Sequence, residues 1–171
     1  MEGEQRFEPT ARKIVSREEA RSRAEDRRAE GKTVVYTNGC FDLLHRAHIR
    51  TLESARQKGD VLIVGVNADE SVRRLKGGDR PILAERERAE LVAALACVDL
   101  VVVFPETTSL RVLEAVRPDI WVKGGDWRLE TLNQEERAFV ESYGGRVALG
   151  ERVPGLSTTE LIERIKRLPD A

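Results

Sequence analysis

The run Val61-Leu62-Ile63-Val64-Gly65-Val66 offers apolar side chains to both sides of any strand it forms. Side chains alternate along a strand, so this is what a central strand covered by helices on both faces requires. From Lys32 onward, short β-branched runs alternate with helical segments, the pattern of parallel strands joined by crossover helices. Strands are predicted at about 33–37, 61–66, 99–103, 119–122 and 146–149. Helices are predicted near 46–58, 69–75, 85–97, 107–116, 133–142 and 157–167. Within Ala84 to Val98, the residues Leu91, Val92, Leu95 and Val98 form a stripe with a charged opposite face, so this helix is expected to pack on a sheet. The expected fold class is a single doubly wound, Rossmann-like α/β domain with a five-stranded parallel sheet, and its ligand site lies beyond the carboxyl ends of the strands.

A chain of 171 residues is long enough for one domain with a proper core. Its 29 basic residues are matched by 30 acidic ones, so nucleic acid is not expected as the main partner. Met1 to Thr10 lack an apolar signal segment and no later run reaches membrane length, so no membrane association is expected. Cys40 and Cys97 have no paired spacing of the disulfide or zinc type, which points to a reducing cytoplasm. Residues 1–15 show no period and read as flexible or loosely docked. Ser16 with Glu19 fits a capping box and Gly31 a C-terminal stop, giving a solvated helix with a weak apolar face. The organisation expected is an N-terminal segment and helix over 1–31, then the main domain over 32–171.

Function concentrates at residues 36–48. The apolar run Val34-Val35-Tyr36 stops at Asn38-Gly39, and the only two histidines, His45 and His48, follow three residues apart where a helix should begin. They therefore face one site. A strand running through a glycine turn into a helix start is where α/β proteins bind phosphate, because free backbone N–H groups and the helix dipole converge there. Other strand ends supply further polar groups: Thr37, Asn38 and Asp42; Asn67, Asp69, Lys76, Arg80 and then Arg88; Lys123-Gly124-Gly125-Asp126-Trp127; and Arg152 with Ser157-Thr158-Thr159.

The run Thr-Asn-Gly-Cys-Phe-Asp-Leu-Leu-His-x-x-His at 37–48 resembles the H-x-G-H nucleotidyltransferase superfamily, over roughly Lys32 to Lys166. It is most similar to glycerol-3-phosphate cytidylyltransferases and to the adenylyltransferases that make ADP-heptose. Val-Asn-Ala-Asp-Glu-Ser-Val-Arg-Arg-Leu-Lys-Gly at 66–77 with Arg80-Pro81, and Val-Lys-Gly-Gly-Asp-Trp at 122–127, favour the ADP-heptose branch. Val-Pro-Gly-Leu-Ser-Thr-Thr at 153–159 is shared by both. The family pattern has glycine where this chain has Ala47, which adds one methyl group beside the expected ribose or base.

The resemblance implies transfer of AMP from ATP, with Mg²⁺ on the phosphates, to the sugar phosphate D-glycero-β-D-manno-heptose 1-phosphate, in a cytoplasmic homodimer. It casts His45, His48 and Lys76 as catalytic. Nucleotide contacts fall to Thr37, Asn38, Gly39, Phe41, Ala47, Arg88, Lys123, Gly124, Asp126, Arg152, Ser157, Thr158 and Thr159, and substrate contacts to Asp42, Asn67, Arg80 and Trp127. Plainer readings stand beside these. The histidines could cap a helix or bind metal with Cys40, although Cys97 is the only further soft ligand. Asp42 could cap the following helix, 123–126 could be a tight turn, Trp127 could be packing, Arg88 could be an exposed helix residue, and Ser157 a helix cap.

Overall fold

The computed structural model describes residues 9–125, 127–150 and 154–169. Five parallel strands form one sheet in the order β3-β2-β1-β4-β5: β1 (Val34–Gly39), β2 (Val61–Asn67), β3 (Leu100–Phe104), β4 (Ile120–Lys123) and β5 (Arg146–Leu149). The strand order reverses between β1 and β4, and this switch point opens a crevice beyond their carboxyl ends.

β2 is buried along its whole length, as its two-sided apolar sequence requires. Val61 and Ile63 join one core with Val34, Tyr36, Trp121 and Phe104; Leu62, Val64 and Val66 join the other with Val35, Leu52 and Val122. The first core is covered by α2 (Arg17–Ala29), α6 (Leu110–Val116) and α7 (Gln134–Ser142). The second is covered by α3 (Arg46–Arg56) and α5 (Glu85–Ala93). Gly65 is the gap in the β2 run, and a β-carbon there would collide with the Tyr36 hydroxyl packed across it. No helix among the described residues is long and apolar enough to cross a membrane.

The remaining helices are α1 (Thr10–Lys13), α4 (Asp69–Lys76) and α8 (Thr158–Lys166). Each predicted strand is present, and the differences have local causes. β1 runs on through Asn38 and Gly39, which pair with Gly65 and Val66, so the turn comes later than Asn-Gly suggested. α5 ends at Ala93 and not near 97: Asp99 must fold back so that its carboxylate accepts the Leu62 N–H at 2.7 Å. Leu91 consequently points to solvent while Ala89, Val92 and Ala93 face the sheet. α6 starts at Leu110 and not at 107, because the Ser109 N–H and hydroxyl donate to Glu136 of α7.

The reading of residues up to 15 as loosely docked fails for 9–15. The Val15 N–H donates to the Val101 carbonyl at 2.9 Å, Ile14 bridges to Val101, and Val15 is buried. α2 is likewise more than a solvated helix. Ser16 caps it by accepting the Glu19 N–H, and Ala20 and Ala24 are fully buried against the first core. Two alanines make a weak hydrophobic signal, yet they let the helix approach closely.

Candidate active site

The turn after β1 is built from residues that pay for an unusual backbone. Phe41 and Leu43 hold φ values of 50° and 49°, in the left-handed region that side chains disfavour. Asp42 between them is buried and anchors the turn. Its carboxylate accepts Arg80 Nε–H at 2.6 Å, the Ile82 N–H at 2.9 Å and the Leu83 N–H at 3.1 Å. Burial alone would raise its pKa, but these donors outweigh burial and hold the carboxyl below its ordinary value. Arg88 donates to the Cys40 carbonyl at 2.6 Å, and Thr158 Oγ1 donates to the Asp42 carbonyl at 2.7 Å. The turn is thus tied to the loop before α5, to α5 and to the start of α8.

This turn delivers His45 to the N-cap of α3 and His48 to its first turn. Their rings stack with centroids 3.9 Å apart and planes 23° from parallel, and Phe41 meets His48 edge-on at 5.3 Å. The His45 backbone N–H donates to His48 Nδ1 at 3.4 Å, which places the proton of neutral His48 on Nε2. Burial, reinforced by the neighbouring His45, lowers the His48 pKa to about 4. Burial also lowers that of His45, against the pull of Glu160. Both rings are therefore neutral near pH 7 without ligand. Thr158 Oγ1 lies 3.5 Å from His45 Nε2, and His45 Nδ1 is buried without a hydrogen-bond partner among the described residues.

The histidines open onto a cavity of about 710 Å³ at the switch point. In its wall Lys123 Nζ donates to Asn38 Oδ1 at 3.0 Å and lies 5.4 Å and 5.5 Å from the ring centroids of Trp121 and Trp127. Burial lowers the Lys123 pKa, with Glu136 acting in the opposite sense. A β-carbon on Gly124 would collide with the Thr51 methyl, so glycine lets α3 close against the end of β4. Lys76, from the last turn of α4, and Arg80 also line the space. Among the described residues the two carboxylates in the wall are already engaged, Asp42 by Arg80 and two amides and Glu136 by Ser109. Lys76 and Lys123 are paired with no carboxylate among the described residues, so the cavity favours an anionic ligand.

Of the residues singled out in the sequence, Thr37, Asn38, Gly39, Phe41, Asp42, His45, Ala47, His48, Asn67, Lys76, Arg80, Lys123, Gly124, Trp127, Ser157, Thr158 and Thr159 all line this cavity. Asp126 and Arg152 lie outside the described residues. Two assignments are corrected. Arg88 is not an exposed helix residue, and nothing here places it on a phosphate: it is fully buried, donates to the Leu83 and Cys40 carbonyls and to Asp69, and is not in the lining of the cavity. Asp42 does not cap α3, since His45 occupies the N-cap. Ser157 is a true cap, accepting the Glu160 N–H at 3.1 Å. Among the described residues no three of His, Cys, Asp or Glu cluster as a metal site.

Sequence reasoning missed the part of the lining formed by Thr107 and Thr108 of the β3–α6 loop, by Asn133 at the N-cap of α7 and by Glu136 within it. The only signal there was local: Asn133 accepts the Glu135 and Glu136 N–H groups as a helix cap.

Residues 36–164 match the family model described as cytidylyltransferase-like. The chain belongs to the cytidylyltransferase-like family. This cytidylyltransferase-like chain has the nucleotidyltransferase fold, and the family assignment makes it a nucleotidyltransferase-type enzyme. It is 55% identical over 153 residues to the bifunctional protein HldE of Syntrophotalea carbinolica, covering 90% of this chain and 31% of that protein. It is 54% identical over 138 residues to HldE of Geobacter sulfurreducens, covering 81% and 28%. The cytidylyltransferase-like chain thus spans less than a third of the length of these two relatives. Among solved structures, the lipopolysaccharide core biosynthesis protein of Thermoplasma volcanium aligns with a TM-score of 0.62 at 28% identity, covering 72% of this chain and 99% of that one. Pantoate-beta-alanine ligase of Francisella tularensis shares the fold, with a TM-score of 0.53 at 13% identity over 92% of this chain and 80% of that one.

Proposed function

We propose that the protein transfers AMP from ATP to D-glycero-β-D-manno-heptose 1-phosphate, giving ADP-heptose and pyrophosphate. The observation that carries this reading is the meeting of His45 with Thr158, 113 residues away, at one end of a cationic cavity. The heptose assignment is supported by the Val122-Lys123-Gly124-Gly125 run and by the similarity to HldE proteins and to a lipopolysaccharide core biosynthesis protein.

In this reaction a phosphate oxygen of the sugar phosphate attacks the α-phosphorus in line. A P–O bond forms there as the bond to the bridging oxygen breaks, and pyrophosphate leaves with that electron pair. The attacking oxygen is already anionic, so no general base is required, and catalysis consists of positioning and charge stabilisation. His48 donates from Nε2–H to a phosphate oxygen, and His45 helps hold the same group. Lys76 offsets the triphosphate charge at the rim. Ser157 to Thr159 bind the outer phosphates at the start of α8, and Arg152 joins them. Lys123 and Asp126 contact the nucleotide, while Asn67, Arg80 and Trp127 face the sugar phosphate. Asp42 acts by holding Arg80 and the histidine turn.

Mg²⁺ enters as part of the substrate, carried by the triphosphate, because it keeps most of its waters and the Asp42 carboxylate is already engaged. Residues 32–171 form the catalytic unit in this reading, acting in the cytoplasm as a homodimer, which sedimentation of the purified chain tests. The activity test is pyrophosphate release with ATP or CTP against a panel of sugar and polyol phosphates. Turnover with ATP and the heptose phosphate is expected. Turnover only with CTP and glycerol 3-phosphate would replace this reading with a cytidylyltransferase. Nucleotide binding without turnover on any acceptor would make the chain a binding module.

A further inference from the structure

A second cavity, of about 470 Å³, lies at the opposite end of the sheet, where β1, β4 and β5 begin. Three arginines from separate elements converge on it: Arg28 at the end of α2, Arg117 after α6 and Arg146 opening β5. One carboxylate faces them, that of Asp119, and it already accepts the Val34 N–H at 2.7 Å. The three guanidinium groups differ in what holds them. Arg28 donates to the Val116 and Arg117 carbonyls at 3.0 and 3.2 Å, which fixes it along one wall. Arg117 lies over the Tyr143 ring at 4.7 Å, and the Tyr143 hydroxyl is itself tied to the Pro118 carbonyl at 3.0 Å. Arg146 has no side-chain partner among the described residues.

We infer that this cavity is a second anion site, taking a small phosphorylated molecule by its phosphate group, on the face of the sheet end remote from the catalytic crevice. Three positive charges against one committed negative leave an excess that a phosphate offsets, and planar guanidinium forks match phosphate oxygens in pairs. The site is also stiffened in advance. Arg28 is anchored to backbone, Arg117 is stacked, and the Gly144 and Gly145 N–H groups are spent on the Glu141 and Val140 carbonyls. Binding therefore falls to the guanidinium groups, with Arg146 closing the open side.

The test is titration of the full chain with inorganic phosphate at low ionic strength, followed through the backbone amide resonances of Gly144, Gly145 and Arg146. A saturable shift of these signals is expected, separate from any shift at Asn38 or Thr158 in the catalytic cavity. Arg146→Gln should weaken the effect by about tenfold or more, as loss of a charge-assisted hydrogen bond does. Arg117→Lys keeps the charge but loses the fork, and should weaken it to a lesser degree. Tyr143→Phe keeps the stacking ring and should leave phosphate binding unchanged. Shifts confined to the catalytic cavity, or of equal strength in Arg146→Gln with a dispersed native spectrum, would overturn the site.

Discussion

Two parts of the lining of the switch-point cavity are built by opposite means. The wall from Thr37 to His48 is a single continuous stretch whose side chains are locked by one another: the stacked histidines, Phe41 edge-on, and Asp42 binding the loop that carries Arg80. The other part of the lining, from Thr107, Thr108, Asn133 and Glu136, is assembled from a loop and a helix start, joined by the Ser109–Glu136 contact. The first wall carries groups suited to developing charge on phosphorus. The second carries the Thr107 and Thr108 hydroxyls and the Asn133 amide, groups suited to the hydroxyls of the proposed sugar phosphate. The proposed function predicts from this difference that reaction and part of the specificity are placed in separable parts of the chain.

The strongest way to break this division is His48→Ala. Turnover should fall by about 10³-fold with a melting temperature near that of the native chain. A large loss of stability with normal turnover would make the ring a packing element instead. The same histidine predicts a pH signature. Its pKa of about 4 lies below the ordinary 6.5, so the unfolded chain binds the extra proton first. Stability contributed by the neutral ring is complete above 6.5 and is lost as pH falls from there towards 4. Melts across that window should slope in the native protein and slope less in His48→Ala, where only the lowered His45 pKa still contributes a histidine slope. Bound ATP should raise the His48 pKa, as ring-proton resonances would report.

Asp42→Asn comes next. It places an amide against donors that need a carboxylate, and should cost about 3 kcal/mol in chemical denaturation. Because the Asp42 pKa is depressed, its stabilisation holds above the ordinary carboxylate value and is lost at lower pH. An acid branch unchanged in Asp42→Asn would show that the turn is held otherwise. In the other part of the lining, Thr108→Val should raise KM for the sugar phosphate ~fivefold, the worth of one hydrogen bond, with kcat and the KM for ATP little changed. An equal fall in kcat would erase the separation between the walls. The smallest effect expected is that of Ala47→Gly. It should cost ~1 kcal/mol of helix stability while ATP affinity, measured by calorimetry, stays the same or improves. A clear drop in affinity would show that the Ala47 methyl contributes to binding.

Most of the fold and one wall of the site were legible because their signals are local. The two-sided run 61–66 requires cover on both faces, Ser16, Ser157 and the start at Asn133 mark helix ends, and two histidines three residues apart share a helix start. Arg88 shows the limit. Its sequence context is a charged helix, and nothing local reveals that Cys40 and Leu83 turn their carbonyls toward it while Asp69 supplies a carboxylate. The docking of 9–15 on β3 was equally invisible, since a single buried Val15 and one backbone hydrogen bond produce no period.

The sequence by itself thus determined the layered architecture, the place of the crevice and the identity of the histidine pair, because each follows from side-chain spacing along one element. Only the tertiary structure decided which charged groups remain available. That depends on partners 16 to 116 residues distant, such as Glu85 on the Asp69 N–H and Thr158 on the Asp42 carbonyl, and such pairing leaves no trace in local pattern. The same sorting separates Arg88, consumed by the fold, from Lys76 and Lys123, left facing the cavity.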